Sequence, residues 1–269
     1  MGKVILVTGA SSGIGLSIAT MLQANGHTVY GASRSIGKLT TAPFKTLQMD
    51  VTDDASVKAA VDTIVKAEGK IDVLVNNAGN GVTGPSYAMP VESAKKQFEV
   101  NFFGLIRVSS AVIPHMIEAG KGLVINVSSL AGLFGLPYQG LYSASKYAIE
   151  GYSQSLRMEL RTTGVKVVVI NPGDFKTDFT GSREKVPFPL KNEKLEKEYN
   201  TAVASMEKDE SAGANPDVIG KKICQIVDAS SPSHRYLIGA LGQTIAVPLK
   251  RILPGGLFEK LMNDHYGIK

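Results

Sequence analysis

Residues 3–8 (KVILVT) run into Thr8-Gly9-Ala10-Ser11-Ser12-Gly13-Ile14-Gly15, and beyond the last glycine Ile14, Ile18, Met21 and Leu22 recur at helical spacing. A β-branched apolar run, a glycine turn and an amphipathic helix form a strand–turn–helix unit. Glycines at such a turn permit a tight bend and close backbone approach to a pyrophosphate, whose charge the helix N-terminus stabilises. The spacing is G-x-x-x-G-x-G, not the G-x-G-x-x-G of many dinucleotide binders, so corroboration is needed from the rest of the chain.

That corroboration starts with a regular alternation. Residues 27–33, 46–51, 71–75, 122–127 and 165–170 read as further strands, and residues 54–68, 91–118 and 143–161 as helices between them. Pro114 marks a kink or break near the end of the second of these helices. Such alternation predicts an α/β fold, a doubly wound parallel sheet of the Rossmann type with helices on both faces. Residues 1–240 read as one catalytic domain, with a polar segment at 181–213 placed as a substrate lid that orders on binding and residues 241–269 as an extension of the same domain. A helix is expected over 216–228 and a short strand over 235–238.

Composition narrows the function classes. The 269 residues are 43% hydrophobic and 20% charged, with a net charge of +5 and one cysteine. Lys and Arg are interspersed with acids, as in residues 183–198, a pattern of a solvated helix face rather than a nucleic-acid surface. The uncharged stretch 122–145 contains Asn126, Ser128, Ser129, Pro137, Tyr138 and Gln139, so it reads as strand, loop and helix start rather than a membrane span. Cys224, among Ile219, Ile223, Ile226 and Val227, is expected to pack. His27, His115, His234 and His265 show no ligand spacing, so no metal site is expected. A cytoplasmic protein is the expectation.

At the end of the second strand, where an acid would bond the adenosine ribose of NAD, stand Ser33 and Arg34. A guanidinium matches a 2′-phosphate, which favours NADP over NAD. Tyr142 and Lys146 lie four apart at a helix start, on one face, where an ammonium would favour phenolate. Ser129 lies just past the fifth strand, on the carboxyl side of the sheet where ligands of such folds bind.

These residues resemble the short-chain dehydrogenase/reductase family. The likeness rests on seven features in chain order: Thr8 to Gly15, Asp50, Asn76-Asn77-Ala78-Gly79, Asn101, Ser129, Tyr142 with Lys146, and Pro172-Gly173 with Thr177. It implies that Tyr142 is the proton donor or acceptor and that Ser129 bonds the substrate oxygen. Lys146 would lower the tyrosine pKa and hold the nicotinamide ribose, and Asn101 would hold a water in a relay behind it. Together with Arg34, read from its own chemistry, Gly9, Ser11, Ser12, Gly13, Ile14, Gly15, Asp50, Val51, Asn77, Ala78, Gly79, Tyr142, Lys146, Pro172, Gly173 and Thr177 would by this likeness bind the cofactor. The run Ser129 to Pro137 (SLAGLFGLP) looks like the branch containing 17β-hydroxysteroid dehydrogenase type 1 and related retinol dehydrogenases. Its Leu133, Phe134 and Leu136 suit a hydrophobic carbonyl or alcohol substrate, although packing of the loop explains them equally well.

The resemblance also implies a homodimer or homotetramer formed through the helices of Asn101 and Tyr142. Residues 245–262 are amphipathic and broken by Pro248, Pro254 and Gly255; packing on the body, a partner or a membrane are all open, with packing on the body favoured. Two other functions compete with a carbonyl reductase. One is an extended-type epimerase or dehydratase, against which the glycine spacing, the Asn76–Gly79 motif and the lack of a large C-terminal domain argue. The other is a noncatalytic dinucleotide-sensing regulator.

Overall fold

Val4 to Thr8 are buried at every position, as a strand covered on both faces requires. The computed structural model describes residues 2–39 and 41–268. From β1 (Val4–Thr8) the chain passes to α1 (Gly13–Ala24), β2 (Thr28–Ser33), β3 (Lys45–Gln48), α2 (Asp54–Glu68), β4 (Val73–Asn76) and β5 (Val82–Thr83). Next come α3 (Val91–Phe98), a π-helical segment Glu99–Phe103, α4 (Gly104–Glu118), β6 (Gly122–Val127), α5 (Gly140–Glu159) and β7 (Val165–Pro172). The remainder holds α6 (Phe179–Ser182), β8 (Glu184–Lys185), α7 (Glu193–Ser211), α8 (Asp217–Asp228), β9 (Arg235–Ile238), α9 (Leu241–Thr244), α10 (Ala246–Ile252) and α11 (Gly255–Tyr266).

Seven parallel strands are ordered β3-β2-β1-β4-β6-β7-β9. This is the doubly wound, single-domain architecture expected from the alternation. The chain leaves β1 to one side for β2 and later to the other for β4, so a crevice opens beyond the strand ends at this switch point. On one sheet face α1 and α8 bury Ile18, Leu22, Ile219 and Ile223 against Ile5 and Val7. On the other, α2, α4 and α5 bury Val61, Ile64, Val108, Met116 and Leu156 against Leu6 and Leu74. Each such side chain contributes about 1.5–3 kcal/mol relative to exposure, and cutting the fully buried Leu74 to alanine would cost about 2–5 kcal/mol.

Two expectations are corrected. Pro114 lies inside α4, which continues to Glu118; the irregularity falls instead at the wide turn containing Asn101. Proline is tolerated because it is exposed, as is Ser110, whose carbonyl loses its helical donor and faces water. The polar segment after Thr177 carries elements of its own: α7 buries Tyr199, Ala202, Val203 and Met206, and β8 pairs with β5 through Val82–Glu184 and Thr83–Lys185. Within the charged run 183–198, Arg183 is not solvated but buried.

The helical run Val91–Glu118 is long and apolar enough to cross a membrane by length and composition, yet its Val108, Val112 and Met116 lie in the sheet core. The C-terminal helices pack on the body. Val247 and Phe258 join Leu130 and Phe134, with the two phenyl rings 5.6 Å apart. Tyr266 joins Ala202 and Met206 of α7. Cys224 packs at the edge of the α1–α8 core, where burial raises its thiol pKa.

Candidate active site

The turn after β1 is built so that nothing fills it. Gly9 has φ +68°, and a Cβ there would stand 2.9 Å from the Cα of Ala78; one on Gly15 would stand 2.2 Å from the Gly9 carbonyl oxygen. Thr8 staples this turn to the loop after β4. Its hydroxyl accepts from the N–H of Asn77 at 3.0 Å and of Ala78 at 2.9 Å, while Asn77 Nδ2 donates to the Thr8 carbonyl at 3.0 Å. Ser12 caps α1 without a side-chain hydrogen bond, and its first turn holds no acid. Among the described residues no side chain caps the first N–H groups of the helix, and Gly13 to Gly15 border the cleft, an anion site that fits a pyrophosphate.

Gly9, Ser11 to Gly15, Arg34, Asp50, Val51, Asn77 to Gly79, Pro172, Gly173 and Thr177 line one cleft of about 360 Å³, and Ser129, Tyr142 and Lys146 line the same cleft. At its adenosine-side rim Arg34 is exposed between Ser33 and Ser35, and Ser35 Oγ donates to Ser11 Oγ at 3.2 Å. Burial alone would raise the Asp50 carboxyl. Hydrogen bonds from the Thr52 N–H (2.9 Å) and hydroxyl (2.8 Å), helped by the Arg34 and Arg107 charges, bring it below the ordinary range.

At the other end α5 presents Tyr142 and Lys146 one turn apart. Lys146 Nζ donates to the Val127 carbonyl at 3.0 Å and lies 5.7 Å from the Tyr142 ring centre. Burial lowers the ammonium to about 8, against the pull of Glu150 one turn further on. Burial also pushes the Tyr142 phenol up to about 12; the neighbouring Ser129 hydroxyl and the Arg183 charge act to lower it, while Glu210 and Asp174 raise it further. The depression expected from Lys146 is not seen, because burial outweighs the groups that lower the phenol. Ser129 is held from behind. Its carbonyl accepts from Asn171 Nδ2 at 2.9 Å, which also donates to Glu150 at 2.6 Å, and Arg235 of β9 pairs with Glu150 at 2.7 Å.

Asn101 does not line the cleft but lies buried behind it. Its Oδ1 accepts from the Asn80 N–H at 2.8 Å, and its Nδ2 donates to the Asn80 carbonyl and to Ser145 Oγ, both at 3.0 Å. Both amide protons are therefore committed to protein. A Cβ on Gly79 would stand 3.3 Å from Asn101 Oδ1 and 3.7 Å from Lys146 Nζ, so this glycine lets the two approach a common point.

Four features of the substrate side escape the sequence reading. Phe179 stacks obliquely on Tyr142, ring centres 5.8 Å apart, and Arg183 lies over Phe179 at 5.5 Å. Arg183 pairs with Glu210, which also accepts from Thr180 Oγ1 at 2.5 Å. Asp174 lines the cleft directly after Pro172-Gly173, and burial, then Glu210 and Asp209, raise its carboxyl to about 6. Gln243, from α9, donates Nε2 to Asp174 Oδ2 at 2.6 Å and accepts from the Asp174 N–H at 3.1 Å. The position of Asp174 beside the Pro-Gly pair was a usable signal; the Gln243 contact, spanning 69 residues, had none.

A glycine cradle that no Cβ could enter, an open helix N-terminus and a serine, tyrosine and lysine on one cleft define a dinucleotide-dependent oxidoreductase site. The short-chain dehydrogenase family model matches residues 3–186, and the chain belongs to that family. It is 40% identical to a 3-ketodihydrosphingosine reductase of Bacteroides thetaiotaomicron, over 99% of each chain. It is 34% identical to an NADPH-dependent 3-dehydrocapnine reductase of Ornithobacterium rhinotracheale, over 87% of each. It is also 34% identical to human 17-beta-hydroxysteroid dehydrogenase type 1, over 87% of this chain and 76% of that one, in line with the likeness of the loop after Ser129. A solved short-chain dehydrogenase from Streptomyces avermitilis superposes with a TM-score of 0.78 at 28% identity, covering 98% of this chain and 94% of that one. The family is one of oxidoreductases that bind a nicotinamide dinucleotide.

Proposed function

We propose that the protein is an NADPH-dependent carbonyl reductase acting on a long-chain aliphatic ketone, of the kind named in its 3-ketodihydrosphingosine and 3-dehydrocapnine reductase relatives. The observation that carries the reading is the shared cleft, with Ser129, Tyr142 and Lys146 at one end and the open N-terminus of α1 beside Arg34 at the other. Arg34, Ser35 and Ser11 form a cluster of donors suited to a 2′-phosphate, which supports NADPH. Leu136, Phe179 and the Tyr142 ring supply apolar surface for an aliphatic chain.

When bound, the nicotinamide supplies the reducing equivalent for the carbonyl carbon. Ser129 Oγ donates to the substrate oxygen as negative charge gathers there. Tyr142 delivers the proton to that oxygen. A phenol raised to about 12 keeps its proton throughout the neutral range, yet gives it up readily to an alkoxide, a far stronger base. Lys146 holds the ribose and lies on the route by which the phenol is reprotonated, while Asn101 braces the wall behind it through Asn80 and Ser145.

The test is a rate measurement on a panel of long-chain 3-ketones, steroids, retinoids and sugars with NADPH and NADH. Turnover of the aliphatic ketones with NADPH is expected; turnover only of steroids or sugars, or only with NADH, contradicts the reading. The cytoplasm is the proposed location. Exposed Phe103 and Ile117 on one side of the fold and Tyr147 and Met158 on α5 support a homodimer or homotetramer through these helices. Sedimentation equilibrium of wild type and Met158→Glu tests the assembly.

A further inference from the structure

The substrate half of the cleft is lined by three carboxylates, Asp174, Asp178 and Glu210. They are not equivalent. Glu210 is committed to Arg183 and Thr180. Asp178 is exposed at the start of α6, where water solvates it. Asp174 is sheltered, and its only side-chain partner among the described residues is the neutral amide of Gln243 on Oδ2. That amide, accepting in turn from the Asp174 N–H, fixes the side chain in one orientation. The same segment of backbone meets the catalytic serine, since Ser129 Oγ reaches the Pro172 carbonyl at 3.5 Å, two residues before Asp174. The charges of Asp174 and Glu210 are felt at the Tyr142 phenol.

A sheltered carboxylate with no cation beside it is costly unless something positive arrives. Resting on the carbonyl-reductase reading above, we propose that Asp174 recognises a cationic nitrogen carried on the carbon next to the substrate carbonyl, so that the enzyme selects long-chain 2-amino-3-ketones over plain ketones. With the carbonyl oxygen at Ser129 and Tyr142, the ammonium would meet Asp174 Oδ1, which has no hydrogen-bond partner among the described residues, and the aliphatic chain would follow Leu136 and Phe179. The groups that face Asp174 are Glu210 and Asp209 of α7, Arg183 and His265. Arg183 is taken by Glu210, and His265 pairs with Asp209 at 2.9 Å, so neither neutralises it.

The test compares kcat/KM with NADPH for a long-chain 2-amino-3-ketone and for the 3-ketone of equal length lacking the amine, both in detergent micelles. Hydrogen bonds to charged groups contribute enough that wild type should favour the amino ketone roughly ten- to a hundredfold. Asp174→Asn, which keeps the Gln243 contact, should bring that ratio to near unity, and Asp178→Asn should leave it in place. Retention of the ratio by Asp174→Asn, or its collapse in Asp178→Asn alone, overturns the assignment. A wild-type enzyme that reduces both ketones equally refutes the role of Asp174 and leaves the reductase reading standing. One that reduces neither, while still binding NADPH by fluorescence titration, refutes both.

Discussion

Removing the Arg183 guanidinium should loosen the segment that carries α6 and α7, whose Phe179, Thr180, Ser182 and Glu210 line the cleft. The side chain of Arg183 is 1% exposed and that of Glu210 is 11% exposed, so the pair is shielded from solvent screening. In Arg183→Met, Glu210 keeps only Thr180 Oγ1 as a partner among the described residues. Breaking a buried pair from one side typically costs about 3–5 kcal/mol, because the remaining charge is left without compensation. If the segment opens with the whole domain, that corresponds to a fall in Tm of about 6–20 °C at 2–4 °C per kcal/mol. If it opens alone, hydrogen exchange in α7 should accelerate while the β-sheet stays protected. The double variant Arg183→Met/Glu210→Met replaces both charges by apolar groups and should recover most of the loss. Calorimetry and hydrogen exchange on the single and double variants decide the matter. A single variant that melts with wild type and exchanges like it would refute the reasoning.

The adenosine end is tested by Arg34→Asp, which should raise the Michaelis constant for NADPH roughly ten- to a hundredfold and that for NADH much less; equal effects would show that Arg34 does not read the phosphate. Asp174 yields a stability prediction. Its carboxyl is raised from 3.8 to about 6, so between those values the folded state binds more protons than the unfolded one and stability falls as pH rises. Above pH 6 the folded protein carries the full penalty, and Asp174→Asn should therefore be more stable than wild type by on the order of 1–3 kcal/mol at pH 7.5. Urea titrations should show that advantage shrinking from pH 6 towards pH 4; an advantage independent of pH would mean the carboxyl titrates normally.

Strands β1, β4, β6 and β7 are legible in the sequence because burial on both faces demands nearly continuous apolar runs such as VILVT and, after the exposed Lys166, VVVI. The cofactor half of the cleft is legible for a similar reason. Gly9 and Gly15 leave no room for a Cβ, so the local sequence carries the constraint itself. Less legible is whatever depends on partners distant in the chain. Arg183 reads as a surface charge until Glu210, 27 residues away, is folded beside it. Asp174 looks like a loop acid until Gln243 arrives from the C-terminal helices. The elevated Tyr142 phenol was equally hidden, since a four-residue spacing reports the nearness of Lys146 but not the burial that outweighs it. The wide turn at Asn101 has no signature either, because both ordinary and π-helical turns satisfy the same apolar periodicity.

The central claim is that Tyr142 donates the proton for carbonyl reduction on this cleft. It is tested most directly by Tyr142→Phe, assayed in parallel for NADPH binding by fluorescence titration and for NADPH-dependent reduction of a long-chain ketone. Removing a general acid costs about 10²–10⁴ in rate, so turnover should fall by that factor while NADPH binds as in wild type. A Tyr142→Phe enzyme that turns over within a few-fold of wild type would contradict the account.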